Sequence, residues 1–256
     1  MEWMNRFIAI TDVLSRADET GLGITEIAAR TNLAKGTLHR ILLDMVKNEI
    51  AVRDERTKRY QLGPRPMIWA SRFVAGKDVS AALAPFCRDL SRATHFYSYI
   101  SRYTAGEVYC IYAHQPENER RTYFVHVGQR MPVHAASAAK SILAFRRANE
   151  VSRVLKNVEY THYTENTIDD VDELRHELAR GREEHLSWCI EEMEAGVSAI
   201  SAPILDTEEH ATFSMSIVGN HQEIMKHKEL LCDLLKDYAE RASSYLQTIR
   251  PLMTLR

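Results

Sequence analysis

The chain has 256 residues, 33 Lys/Arg against 35 Asp/Glu and a formal net charge of −2. That length suffices for two domains with separate cores, and the near-neutral balance excludes nucleic-acid binding by bulk charge alone. No apolar run approaches a membrane span and Met1 to Arg6 lacks the stretch of a secretion signal, so a cytoplasmic protein with no membrane partner is expected.

The first 63 residues predict a helix, a tight turn, a second helix and a basic hairpin. Thr25 is expected to cap Glu26 to Arg30, its hydroxyl accepting from a free first-turn amide. Thr31-Asn32-Leu33-Ala34 breaks that helix, with Asn32 suited to the turn and Leu33 able to pack inward. From Lys35 to Lys47, Leu38, Ile41, Leu42 and Met45 recur at spacings of three and four, which predicts one buried stripe. Lys35, Gly36, Thr37, His39 and Arg40 lie on the polar face near the N-terminus, where a recognition helix meets bases and phosphates. Gly36 lacks a Cβ and permits close approach of a sugar-phosphate backbone. Ile50 to Arg53 and Arg59 to Leu62 alternate as strands do around the polar tip Asp54 to Lys58. Arg53, Arg56, Lys58 and Arg59 give this wing four cations in seven residues, with Arg56 and Lys58 placed to touch phosphate. Residues 1–62 hold ten Lys/Arg and nine Asp/Glu, so specific binding has to rest on clustering and on doubling by dimerisation. An ordinary helical hairpin explains the helix pair alone, but not the wing that follows it.

Gly63-Pro64-Arg65-Pro66 stops the hairpin, and Met67 to Val74 predicts a short apolar helix suited to a linker or a dimer contact. Val79 to Ala93, with Leu83, Phe86, Cys87 and Leu90 on one side, predicts the opening helix of a second domain. Phe96 to Tyr103 and Glu107 to Ala113 predict a hairpin around Thr104-Ala105-Gly106, and Tyr123 to Val127 a third strand. In the segment from His126 to Ala144 small residues gather where the chain passes into a helix, leaving amides open to a carboxylate. A small-residue helix packed on a sheet explains the same composition. The helix after Thr167, with Val171, Leu174 and Leu178 in register, is expected to end near Gly181. Glu229 to Ile249 predicts a terminal helix with Leu231, Leu234, Leu235, Tyr238, Ala242, Tyr245 and Ile249 along one side.

Cys87, Cys110, Cys189 and Cys232 contain no CxxC pair, so buried thiols are expected rather than disulfides. His185 and Cys189, four apart, with His221 and His227, form the only drawable metal set and lack a second close pair. Ser137 with His134, or Cys189 with His185, can be drawn as nucleophile and base, with Glu191, Glu192 and Glu194 as carboxylates. No Gly-x-Ser-x-Gly elbow accompanies them, so no enzyme and no metal are expected.

Three motifs carry a resemblance: LAKGTLHRIL from Leu33, VGQRMPVHAASAAKSILA from Val127, and GVSAISAPILD from Gly196 followed by ATFSMSIVG. Over nearly its full length the chain resembles the IclR-type transcriptional regulators. The resemblance implies an α+β chain: a winged helix-turn-helix at 1–63, a linker helix at 64–78 that pairs subunits, and an effector domain at 79–256. That effector domain would be GAF-like, an antiparallel sheet flanked by helices. It also implies double-stranded operator DNA and a small carboxylate effector as partners, a homodimer or dimer of dimers, and no cofactor. Carried over by motif, Ser137, Ala138 and Ala139 stand at the helix start, and Cys189, Ala199, Ser216 and Val218 line the effector cavity. Three positions depart from the common pattern: Ala139 for a Gly, Cys189 for an Asp and Ala199 for a Cys. The less polar pocket that results suits an acid with an apolar or aromatic body, for which Trp188, Tyr97 and Tyr123 are stacking candidates. Repression of a catabolic operon is the implied role, with activation, or DNA binding without a ligand, as alternatives.

Overall fold

The apolar stripe of residues 35–47 settles the first core. In the computed structural model, which describes residues 3–74, 79–116 and 125–253, the chain divides into two units, Met1–Gly76 and Lys77–Arg256. In the first unit helices α1 (Trp3–Ser15), α2 (Ile24–Thr31) and α3 (Lys35–Lys47) precede strands β1 (Ala51–Arg53) and β2 (Tyr60–Leu62). Leu38, Ile41, Leu42 and Met45 of α3 are buried against Ile10 and Leu14 of α1, Ile27 of α2, and Ala51 and Tyr60 of the hairpin. Helix α1 has no counterpart among the expected elements; its Ile10 and Leu14 lie one turn apart and supply a third wall.

Thr25 does not cap α2. The helix starts two residues earlier than that cap implies, at Ile24, with Gly23 as N-cap. The Glu26 carboxylate reaches back to accept the Gly23 N–H at 2.7 Å, so the start of the helix is held by a charged acceptor rather than by a threonine hydroxyl. That bond, with Arg59 beside it, holds the Glu26 carboxyl below its ordinary range. Thr25 is left exposed in the first turn. Asn32 ends the helix in the left-handed region at φ 53°, the conformation Asn tolerates best after glycine. Antiparallel pairing sets Ala51 against Leu62 and Arg53 against Tyr60. Gly63 follows where a Cβ would strike the carbonyl oxygen of Glu49, so only glycine lets the hairpin close against the end of α3. Helix α4 (Arg65–Val74) comes next, with Met67, Ile68 and Trp69 exposed.

The second unit is built on one six-stranded antiparallel sheet. Its strands are β3 (Tyr97–Thr104), β4 (Glu107–His114), β5 (Arg130–Met131), β6 (Ser187–Ile190), β7 (Val197–Leu205) and β8 (Ala211–Asn220), in the order β5-β4-β3-β8-β7-β6. Helices α5 (Val79–Thr94) and α10 (Lys228–Met253) cover one face; α6 (Ser137–Leu143) and α8 (Val171–Glu184) cover the other. Alternation along each strand sorts the residues. Ile100, Trp188, Ile200, Met215 and Ile217 pack with α5 and α10, whereas Tyr99, Cys189, Ala199 and Val218 pack with α6. Helices α7 (Ala148–Leu155) and α9 (His221–Lys226) complete the unit.

Two expectations are corrected here. The third strand falls at Arg130–Met131, pairing with Tyr109 and Val108 of β4; of the expected span, Val125 to Val127 is not strand and Tyr123 and Phe124 lie outside the described residues. Helix α8 runs on past Gly181 to Glu184 and is ended by His185 in the left-handed region at φ 55°. Gly181 stays helical because it gives Ser187 room: a Cβ there would stand 2.5 Å from the Ser187 Oγ.

Candidate DNA-reading face and effector site

Helix α3 begins at Ala34 with no side-chain cap, so its first-turn amides are not occupied by a side chain of their own cap. Lys35, Gly36, His39 and Arg40 are exposed there and Thr37 is half-buried. A Cβ on Gly36 would meet nothing within 4 Å, so the fold itself does not require glycine at that position. On the wing, Arg56 is exposed beside Asp54, whose carboxylate accepts the Arg56 and Thr57 N–H groups at 2.8 and 2.7 Å and shapes the tip. Lys58 is exposed and paired with Glu55 at 2.9 Å. Arg59 serves the fold instead. Its guanidinium donates twice to the carbonyl of Gly21, at 3.0 and 2.8 Å, and pairs with Glu26 at 2.9 Å, which ties the wing to the start of α2. Arg53 lies over the Tyr60 ring, 5.7 Å from its centre.

In the second unit Ser137, Ala138, Ala139, Cys189, Ala199, Ser216 and Val218 are all buried on the α6 face of the sheet. Strand register explains why they meet. Cys189, Ala199, Val218 and Tyr97 stand opposite one another across β6, β7, β8 and β3, and Ser187, Ser201, Ser216 and Tyr99 form the next row. Ser137 joins the second row from above: its Oγ lies 2.8 Å from that of Ser201, which lies 2.7 Å from that of Ser216. The Tyr99 phenol lies beside Ser137 and Ser216, and burial pushes it above its ordinary range against the pull of their hydroxyls. Ser201 is therefore the link between two expected site residues, and sequence reasoning missed it. Its signal was available: in Ala199-Ile200-Ser201 it sits two residues from an expected lining position and so on the same face.

Beside this row lies a buried ion pair. The Lys140 ammonium, fully buried on α6, donates to both oxygens of Glu192 at 2.7 and 2.8 Å. Burial pushes the Glu192 carboxyl up to about 7, against the pull of Lys140. The Cys189 thiol lies against the N–H groups of Glu192 and Met193, and burial raises it to about 12, so it is neutral. In the sequence Glu192 stands out only as one of three neighbouring carboxylates, and its pairing with Lys140 is not legible, because their 52-residue separation gives no local pattern.

The stacking candidates separate. Trp188 belongs to the opposite layer, under Lys228 at 5.1 Å, because β6 turns Cys189 toward α6 and its neighbour away. Tyr97 is on the α6 face with its hydroxyl donating to the Val125 carbonyl at 2.8 Å, and Tyr123 lies outside the described residues. The drawn catalytic pairs also separate. His134 Nε2 bonds the Thr161 carbonyl at 3.0 Å rather than Ser137, and the His185 ring packs on Phe145 with centres 5.0 Å apart. His221 Nδ1 is 2.9 Å from the Ser198 hydroxyl. Among the described residues no three His, Cys, Asp or Glu side chains gather as a metal site. No described helix is long and apolar enough to cross a membrane. A cleft of about 690 Å³ opens between the β3–β4 turn, Pro132 to His134, and residues 150–163. None of the seven expected effector residues lines it; of its two arginines, Arg130 is engaged by Glu107 at 2.6 Å and Arg153 is exposed.

Residues 5–55 match the IclR helix-turn-helix domain and residues 71–244 the C-terminal domain of the bacterial transcriptional regulator IclR. The chain belongs to the IclR family. IclR-family proteins are transcriptional regulators rather than enzymes, which accords with hydroxyls that bond one another instead of a base. The HTH-type transcriptional regulator BhcR of Paracoccus denitrificans is 26% identical over 216 residues, 84% of this chain and 76% of that protein. The crystal structure of the Thermotoga maritima IclR superposes with a TM-score of 0.79 at 23% identity, covering 95% of this chain and 98% of that one. An IclR homolog from Microbacterium hydrocarbonoxydans, crystallised with 4-hydroxybenzoate, superposes at 0.78 with 21% identity over 96% and 100%. This chain is thus an IclR-family regulator with a DNA-binding helix-turn-helix and a ligand-binding domain.

Proposed function

We propose that this IclR-family regulator is a repressor of a catabolic operon that acts as a homodimer or dimer of dimers and is released by a small acid with an apolar or aromatic body. The observation that carries the effector half is the joined set of hydroxyls from Ser137, Ser201, Ser216 and Tyr99 beside the apolar row of Cys189, Ala199 and Val218. Hydroxyls that already bond one another can turn to a carboxylate without being orphaned, and the flanking row offers an acid's hydrocarbon body a dry wall. Ala138 and Ala139 complete the wall from α6. The Microbacterium homolog that binds 4-hydroxybenzoate supports an aromatic acid of that kind.

The DNA half assigns residues 1–63 to the winged domain, 64–78 to the linker, of which α4 is the described helix and residues 75–78 lie outside the described residues, and 79–256 to the effector domain. Lys35, Gly36, Thr37, His39 and Arg40 meet base edges and phosphates, with Thr25, Arg56 and Lys58 on the backbone of double-stranded operator DNA. The effector shifts DNA affinity only as far as it prefers one pairing of subunits over another. Calorimetric titration with 4-hydroxybenzoate and with pyruvate, followed by gel shift on the DNA upstream of the gene, tests both halves. Tighter binding of the aromatic acid and its release of DNA are expected. A clear preference for pyruvate overturns the apolar pocket, and an acid that strengthens DNA binding overturns repression.

A further inference from the structure

Buried pairs such as Lys140–Glu192 give little net stability compared with apolar side chains of the same volume, so stability alone does not explain a charge placed under α6. Its position does. Ser137 and Lys140 are three residues apart on α6 and face the same side of the sheet. Glu192 follows Cys189 by three residues, and the Cys189 thiol rests on the amide of Glu192 and feels both charges. The pair therefore stands at the junction of two residues assigned to the effector site. Among the described residues the ammonium's hydrogen bonds go to Glu192 alone, and an ammonium has three donors.

We propose that Lys140 is the cation of the effector site and Glu192 its resident counter-ion, which a bound effector carboxylate replaces. The inference rests on the reading that Ser137 and Cys189 border the effector. In the empty protein the two charges cancel in a dry site. An arriving carboxylate would leave one lysine between two anions, a net negative charge that a low-dielectric interior resists. Glu192 resolves this by taking a proton from solvent while Lys140 turns to the ligand. The charged and titratable groups facing Glu192 are Lys140 from α6, Glu177 from α8 and Cys189 from β6. His134 feels Lys140 from its other side. Glu177 is partly exposed and paired with Arg180, and the Cys189 thiol is already neutral, which leaves Glu192 as the group that changes state. Burial has already moved its carboxyl toward neutrality.

The test is calorimetry on the full chain with 4-hydroxybenzoate at about pH 8, in buffers of different ionisation heat, with 4-hydroxybenzyl alcohol as the uncharged control. The wild type is expected to take up about one proton per acid bound and none with the alcohol. Glu192→Gln should bind the acid without proton uptake. Acid binding by the wild type without proton uptake overturns the inference and leaves the effector reading standing, as does proton uptake that persists in Glu192→Gln. No binding of the aromatic acid to the wild type overturns the effector reading and this inference with it.

Discussion

Replacing Lys140 by methionine isolates the buried pair. The side chain keeps its approximate length and loses its charge, so Glu192, only 7% exposed, is left as a carboxylate with no counter-ion. Removing one partner of a buried, hydrogen-bonded pair costs about 3–5 kcal/mol. For a unit of this size that lowers the melting temperature by roughly 6–20 °C. The sign of the pH dependence follows from linkage. The Glu192 carboxyl is raised from its ordinary 4.5 to about 7 in the folded protein, so between those values the folded state holds a proton that the unfolded chain releases. Its stabilising contribution is full below 4.5 and declines as pH rises through 7. Without Lys140 the folded carboxyl moves higher still, and the window widens upward. Lys140→Met should therefore be least stable near pH 8 and recover toward pH 5, by at most about 1.4 kcal/mol per pH unit. The double variant Lys140→Met/Glu192→Leu should regain most of the loss at pH 8 and lose that part of the pH dependence. Urea denaturation at pH 5 and pH 8, followed by circular dichroism, measures all three proteins. A loss below about 1 kcal/mol, equal at both pH values, or a double variant no more stable than the single one, refutes the reasoning.

Arg40→Ala should weaken operator binding and reduce the salt slope of log K by about 1, as loss of one phosphate contact does, with unchanged folding; an unaltered gel-shift titration in a salt series removes Arg40 from the contact face. Arg59→Ala should behave oppositely, leaving the salt slope intact while costing roughly 0.5–1.5 kcal/mol of stability from the lost bonds to Gly21 and the partly exposed pair with Glu26, read by chemical denaturation. Ser201→Ala removes the shared partner of Ser137 and Ser216; with the Tyr99 hydroxyl as partial substitute, a loss of about 1–2 kcal/mol and a smaller thermal shift with 4-hydroxybenzoate are expected. An unchanged thermal shift in Ser201→Ala would detach the hydroxyl row from the effector.

What is legible in the sequence follows from the range of the interactions. The bounds and buried stripe of α3 are readable because a helix of 13 residues repeats its apolar positions often enough to define a face. The cap of α2 lies two residues before the expected one, at Gly23 rather than Thr25, because Thr25 and Glu26 are both capping residues. Local preference cannot rank a hydroxyl against a carboxylate that also pairs with Arg59 of the distant wing. Helix α1 escapes a reading of the sequence: its inward residues, Ile10 and Leu14, make a stripe too short to stand out. In the effector unit the motifs put Ser137 and Ser216 on one face, but what joins them is cross-strand register, to which Ser201 and Tyr99 belong. Trp188 is the counterexample of the same kind, since a single residue of register decides which face a strand residue serves.

The charge of the DNA-binding unit bears on how the regulator can be switched. On the proposed reading four cations per copy, Lys35, Arg40, Arg56 and Lys58, meet phosphate, and Lys58 already shares its charge with Glu55. Arg59, which completes the basic run in the sequence, is consumed in holding the wing to α2. One copy thus offers about three to four phosphate contacts, a modest and salt-sensitive affinity. Two copies on one operator multiply rather than add, provided both reach their half-sites together. If the regulator works as the proposed dimer, an effector has no need to alter α3: a small preference for one pairing of subunits would move the second copy out of reach and forfeit most of the affinity. The buried pair under α6 suits such a device. As proposed, it would convert the arrival of one carboxylate into a change of partner for Lys140 and a change of charge on Glu192, whose loop joins β6 to β7.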